Sequence, residues 1–424
     1  MLNVCYIFTF FFQVFIFLPN LSAQTPIKQV IDLETAIKLA EKNNLLIKSQ
    51  RYELNASEQN YEDQKSKTYP DLSFELGRED RFLTPYSFHQ QSASLRSSWA
   101  LGDMIMNSAD LAKSEGKIIE SKIGQEKLTA ERRVAGIYLR TLLKQNETEI
   151  QSKRLELMQK HKVISEIGWK AGTRSRLDVL QSNNEISKIE EEIEIIKNEK
   201  EKLFTEFNSL VGNDSLNYQL EPIDTKSLID QFLPDTSMLS LNENPFIKEY
   251  DFRKSTELLR KDVVSAQQLP AVGFGGGYFN DGDPTGDGNY WQFNVGLKLP
   301  LFMWGSTDYQ RQMSEAKIRS FQSQKMDMER ELNIFYRKTF SELQNYKDIS
   351  KIQKEREAIA EQAFAIALVD YKAGLITNLE FIDTQQSLAE IKIKIKETRL
   401  KYVAKLVDLF LAANQSDMLF AMLK

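Results

Sequence analysis

The residues with the most chemical promise in this chain follow two glycines. Asp178 comes after Gly172, and Glu380 and Asp383 come after Gly374, with Gln181 standing where the last acid would fall in the first copy. On a helix, positions 380 and 383 share a face, so their carboxylates repel one another and attract cations. That is the chemistry of a charged constriction that selects ions. It is also what acids at a helix start do when the positive end of the helix dipole favours them, and the residues alone leave both readings open. Nothing around them suggests catalysis. No Ser/His/Asp set, metal-ligand spacing or phosphate loop accompanies them, and "GFGGGYFNDGDPTGDG" has no following helix to receive a phosphate. We expect no enzyme and no cofactor.

The elements that must position these acids are duplicated. "WKAGTRSRLDVLQSNNEI" begins at Trp169 and "YKAGLITNLEFIDTQQSL" at Tyr371, so that Lys-Ala-Gly and then Leu177 and Leu379 recur 202 residues apart. Glycine takes the positive φ of a helix terminus without penalty, so Gly172 and Gly374 are expected to reverse two helical hairpins. The repeat extends further. "NNLLIK" meets "ENPFIK", "YPDLSFELG" meets "LPAVGFGGG", and "SEGKI" meets "SEAKI", each shifted by 200 residues. The chain therefore reads as a first repeat over 24–212 and a second over 235–414, joined by a linker at 213–234 with little regular structure and followed by a tail at 415–424.

Each repeat reads as helix, two strands, then a helical hairpin. Asp32 is placed to cap the first helix, with Leu33, Ala36, Ile37 and Ala40 at helical spacing. Strands are expected at about 70–101 and 270–302, with "TPYSFHQ" and "DGDPTGDG" as turns. Trp291, Phe293, Val295, Leu297 and Leu299 alternate with Gln292, Asn294, Gly296 and Lys298, giving one greasy face and one polar face. Leu72, Phe74, Leu76, Leu95, Trp99, Val272, Phe274 and Tyr278 follow the same alternation, with Glu75 and Arg96 on the polar side. The hairpins occupy about 103–212 and 306–414, with proline-free runs able to extend about 100 Å. Leu388, Ile391, Ile395, Tyr402, Leu406 and Leu409 mark a coiled-coil seam in the last helix.

Composition narrows the function. The formal charge of −5 comes from 55 basic and 60 acidic residues spread along the same segments, which leaves no basic stripe for nucleic acid. Residues 1–23 read as a signal peptide, an apolar run from Tyr6 to Leu18 before Leu21-Ser22-Ala23, although Lys and Arg are missing from its start. Cys5 lies inside it, so the exported chain would hold no thiol. His89 and His161 are expected at the surface, and Met104, Met106 and Met303 are expected to pack at strand-to-helix junctions.

Four strands with a greasy exterior cannot close a membrane barrel alone, since the smallest have about eight and an open edge in lipid leaves backbone groups unpaired. Three copies would supply twelve strands around a shared axis. Tyr69, Tyr86, Trp99, Tyr278, Tyr290, Trp291 and Trp304 lie near strand ends, as an interface girdle requires.

With "DLETAIKLAEKNN", "LPLFMWGSTDYQRQMSEAKI" and "YKAGLITNLEFID" in this order and spacing, the mature sequence resembles the TolC-like outer-membrane efflux family throughout. The resemblance implies a mainly α fold with a membrane β-barrel contribution: a homotrimer whose barrel in outer-membrane lipid continues into a long coiled-coil α-helical tunnel in the periplasm. It implies a passive exit duct that docks a periplasmic adaptor and an inner-membrane pump to export small toxic solutes, drugs or metal cations. With residues 1–23 removed as a signal peptide, the mature length of about 400 residues resembles the family's shorter members, which work in metal-cation efflux. It implies a periplasmic gate at Asp178, Tyr371, Glu380 and Asp383, and adaptor docking at the tips carrying Gly172, Leu177, Gly374 and Leu379. The chain departs at Ile376, where a gate arginine is expected, and Arg174 or Arg176 is the candidate substitute. The alternative is a periplasmic adaptor or structural coiled-coil protein without a pore, but an adaptor would carry one hairpin splitting a compact β-rich domain.

Overall fold

The computed structural model describes residues 29–83, 86–100, 108–212, 218–231, 241–281 and 288–423. Strand β1 (Gln29–Ile31) precedes helices α1 (Leu33–Asn43) and α2 (Leu45–Ser66), then strands β2 (Asp71–Leu83) and β3 (Tyr86–Ala100). Helices α3 (Ser108–Lys170) and α4 (Arg176–Val211) complete the first unit. After β4 (Tyr218–Leu220) and α5 (Thr225–Gln231), the order repeats as α6 (Pro245–Ala266), β5 (Ala271–Asp281), β6 (Gly288–Lys298), α7 (Ser306–Ala373) and α8 (Asn378–Ala412), with α9 (Ser416–Leu423) last. Among the described residues no helix is long and apolar enough to cross a membrane.

Helices α3 and α7 run for 63 and 68 residues, close to 100 Å at ~1.5 Å per residue. Their partners α4 and α8 are little more than half as long, at 36 and 35 residues. Each rod is completed by a second helix that starts where the first stops. Asn43 Nδ2 donates to the Val211 carbonyl at 2.5 Å, and Asn244 Nδ2 donates to the Ala412 carbonyl at 2.7 Å. Carbonyls that a helix C-terminus would leave unpaired are thereby satisfied, and the adjoining helices α2 and α6 are capped by Asn44 and Asn244. The same joint occurs in both units, so the duplication extends to how the rods are assembled.

The two strand pairs form one antiparallel sheet in the order β2-β3-β5-β6. Its register sets Phe74 beside Leu95, Leu95 beside Tyr278, and Tyr278 beside Trp291, which confirms the greasy face. These side chains are exposed in the single chain, Phe293 and Val295 by 79% and 72%. The opposite face carries Glu75 and Arg96, 3.6 Å apart, and Arg96 lies over the Phe279 ring. Tyr290 departs from the girdle expectation: the register puts it on this polar face, stacked on Phe279 at 5.4 Å. Nearness to a strand end does not decide which face a side chain takes; the period of two does. "TPYSFHQ" is also mostly strand, since β3 starts at Tyr86 opposite Leu83. Most of the second turn lies outside the described residues, as do Met104 and Met106.

The main core sits where the rods pass the second, smaller sheet. Strands β1 and β4 pair in parallel, and Tyr138 of α3 is buried beneath them with its hydroxyl 2.7 Å from the Glu221 carbonyl and 3.1 Å from that of Ile31. Ile37, Phe207, Leu406 and Phe410 are among the residues that close around it. The linker expected to lack regular structure holds β4 and α5, with Leu228 and Ile229 buried in this core, and the tail forms α9 with Leu419 and Phe420 buried. A strand of three residues and a helix of seven are too short for periodicity to show.

Glu131 of α3 is buried here, 6% exposed, with Oε2 lacking a hydrogen-bond partner. Burial, reinforced by Glu41, pushes its carboxyl well above the ordinary range, so the folded state holds a proton that the unfolded chain releases. Stability therefore falls as pH rises from the ordinary 4.5 through the raised value. Glu131→Gln is expected to flatten that fall, gaining ~2 kcal/mol at alkaline pH and little at acid pH, as read from thermal melts in detergent across pH.

Candidate functional site at the paired hairpin tips

Both tips are built from two interlocked end motifs. Helix α7 ends with Leu375 N–H donating to the Asp370 carbonyl at 2.8 Å and Gly374 N–H donating to that of Tyr371 at 3.1 Å. Helix α3 ends the same way, from Thr173 to Gly168 at 2.9 Å and from Gly172 to Trp169 at 3.0 Å. This double bond pattern requires a left-handed residue, and Gly172 and Gly374 have φ of +74° and +81°. The next helix starts at once. Ser175 and Asp178 form a capping box on α4, and Thr377 and Glu380 form its copy on α8. The doubled stretch is thus a complete helix-reversal unit. Its Ser-x-x-Asp and Thr-x-x-Glu signatures were present in the sequence, yet periodicity and glycine spacing passed over them.

Between the tips, residues from both hairpins pack into one joint. His161 of α3, expected at the surface, is 2% exposed, its ring stacked on Phe381 of α8 at 4.0 Å and tilted to Tyr371 of α7 at 4.3 Å. Its Nε2 lies 2.6 Å from Asn378 Oδ1. Asn378 Nδ2 donates to the Asp178 carbonyl at 3.2 Å and to Gln181 Oε1 at 3.1 Å, both on α4. Tyr371 is fully buried and its hydroxyl meets Ser165 Oγ at 2.8 Å. Arg174 reaches across from the first tip: its guanidinium lies 4.2 Å from the Tyr371 ring centroid and donates to the Tyr371 carbonyl. Burial pushes the His161 imidazole below its ordinary range; the Asn378 bond and Asp178 oppose this, and Arg174 adds to it.

The anticipated residues divide between this joint and the surface. Tyr371 is central to the joint. Asp178 enters it through its backbone carbonyl, while its carboxylate accepts from Ser175 N–H at 3.3 Å. Glu380 is exposed, its carboxylate accepting from Thr377 N–H at 2.7 Å and from the Thr377 hydroxyl at 2.8 Å; these bonds hold it below the usual carboxylate range. Asp383 is exposed one turn on. Leu177 and Leu379 are exposed by 60% and 55%. Arg174, not Arg176, contacts the second hairpin among the described residues, while Ile376 packs near Tyr371 and Phe381. His161, Ser165 and Asn378 were not anticipated, because a lone polar residue in a long amphipathic run carries no signal of what it meets across a fold.

The outer membrane efflux protein family matches residues 36–201 and 238–415, which takes in both repeats. A comparison with curated protein sequences finds no match. Among solved structures, CusC is 17% identical, with 90% of this chain and 91% of that one covered at a TM-score of 0.78. VceC of Vibrio cholerae is 15% identical over 90% and 95%, with a TM-score of 0.74. The outer membrane channel CmeC of Campylobacter jejuni is 14% identical over 92% and 89%, with a TM-score of 0.73. At such identities the likeness establishes the fold, and it runs nearly end to end. Matched across both repeats, with the sheet and the paired hairpins that such channels share, the chain belongs to the outer membrane efflux protein family and resides in the outer membrane with its helices in the periplasm.

Proposed function

We propose that three copies of this chain form the exit duct of a tripartite efflux system, a passive channel through which small toxic solutes, drugs or metal cations, leave the cell. The observation that carries this reading is the sheet: among the described residues β2 and β6 are its outer strands, each paired on one side only, while its apolar face is exposed. Setting β6 of one copy against β2 of the next removes every edge and turns the Glu75 and Arg96 face toward a water-filled lumen. In the trimer the tips form the periplasmic entrance, gated by the Tyr371 and Asp178 joint and ringed by Glu380 and Asp383. The exposed Leu177, Leu375 and Leu379 offer the apolar contacts on which a periplasmic adaptor, linked to an inner-membrane pump, would seat.

Insertion of the purified protein into planar bilayers tests the reading. Discrete conductance steps are expected, together with a folded outer-membrane species whose gel migration shifts on heating. Release by osmotic shock with no conductance would instead favour a soluble periplasmic adaptor.

A further inference from the structure

The joint between the tips fixes the tautomer of His161. Asn378 Nδ2 donates to two acceptors, so the other end of that amide is its oxygen, which also accepts from Ser182 Oγ at 3.4 Å. An amide oxygen cannot donate, so the His161 nitrogen that faces it, Nε2, must carry the ring proton. A second proton must then enter at Nδ1. That atom is buried and has no hydrogen-bond partner among the described residues. A positive ring there would have a donor with no acceptor, in a site closed by Phe381 and Tyr371.

The groups around the ring decide how the charge is received. The first tip presents the Arg174 guanidinium, already seated on Tyr371, which repels it. Helix α4 presents Asp178, which attracts it, though that carboxylate is engaged by Ser175. Helix α7 presents the Tyr371 phenol, bonded to Ser165 of α3, and α8 presents only Asn378 and Phe381, both uncharged.

We propose that neutral His161 is the positioning residue that clamps the two hairpin tips of a subunit together, and that a second proton on its ring releases the clamp and widens the tunnel entrance. This rests on the reading of the tips as that entrance. The sign follows from the site: the clamped form binds fewer protons than the released form, so clamping is complete above the ordinary imidazole range of ~6.5 and is lost as pH falls through the lower value of the buried ring. One proton per clamp raises the released-to-clamped ratio by up to about tenfold per pH unit. The duct would then respond to acidification of the periplasm without any change in its partners.

Two readouts on the full trimer test this between about pH 7.5 and about pH 5. Spin labels paired at Thr173 and Leu375 within one subunit report the separation of the tips, and bilayer conductance reports the entrance. In the wild type both are expected to rise on acidification. His161→Gln keeps a neutral donor toward Asn378 and should hold both readings at their neutral values, whereas His161→Lys should give the acid values throughout. A tip separation that ignores pH, or that responds equally in His161→Gln, overturns the clamp. A separation that changes with pH while conductance stays constant upholds the release step and overturns the placement of the entrance.

Discussion

Arginine at Phe293 and Val295 is expected to abolish accumulation of folded protein in the outer membrane. Both side chains sit mid-strand on the apolar face of β6, exposed by 79% and 72%. A lipid-facing arginine near the bilayer midplane costs ~2–4 kcal/mol, falling to ~0–1 near the interfaces, and symmetry repeats each substitution in every subunit. Gln292→Arg is the matched control. It immediately precedes Phe293 in sequence but lies on the opposite face, beside Gly277, where the shared barrel would hold water. The heat-modifiable species in outer-membrane fractions should be lost in the double variant and retained in the control. Equal loss in both would mean that the sheet packs against protein on each side.

Neutralising Glu380 and Asp383 together should collapse the cation preference of the channel. Both acids are exposed on one face at the start of α8, and three subunits would bring six such groups to the entrance. Gln is the apt replacement at 380 because a capping box accepts Glu or Gln at that position, so α8 keeps its start. The cation-to-anion permeability ratio, from reversal potentials at ~0.1 M salt where the screening length is ~10 Å, should fall by about threefold or more. Thr377 holds the Glu380 carboxyl below its ordinary range, so this acid should keep its contribution to wild-type selectivity to a lower pH than an unperturbed glutamate would. An unchanged ratio in the double variant would remove these acids from the ion path.

What the sequence disclosed and what it withheld divide along physical lines. Period two in the strands, the coiled-coil seam of α8 and the doubled glycine turn were legible because each is a local pattern set by backbone geometry. The repeat made them firmer, since the same pattern occurred twice in one chain. The stacking of α2 on α4 and of α6 on α8 was not legible, because it depends on Asn43 and Asn244 meeting carbonyls 168 residues away. The joint at the tips was legible only in outline. Tyr371 and Asp178 were anticipated through family resemblance, and Arg174 was one of two candidates. His161 was misread as a surface residue because its burial is decided by Phe381 and Asn378 on the other hairpin. The strand and helix inside the linker escaped notice for a third reason: they are shorter than the window in which a period can be recognised.

All of this depends on separate chains contributing strands to a single wall. The most direct test is the mass of the folded protein purified in detergent, after subtraction of the bound micelle. Three chains per particle, with no smaller folded species, is the predicted result. A folded single chain that remains soluble once detergent is removed would rule out a barrel shared between chains.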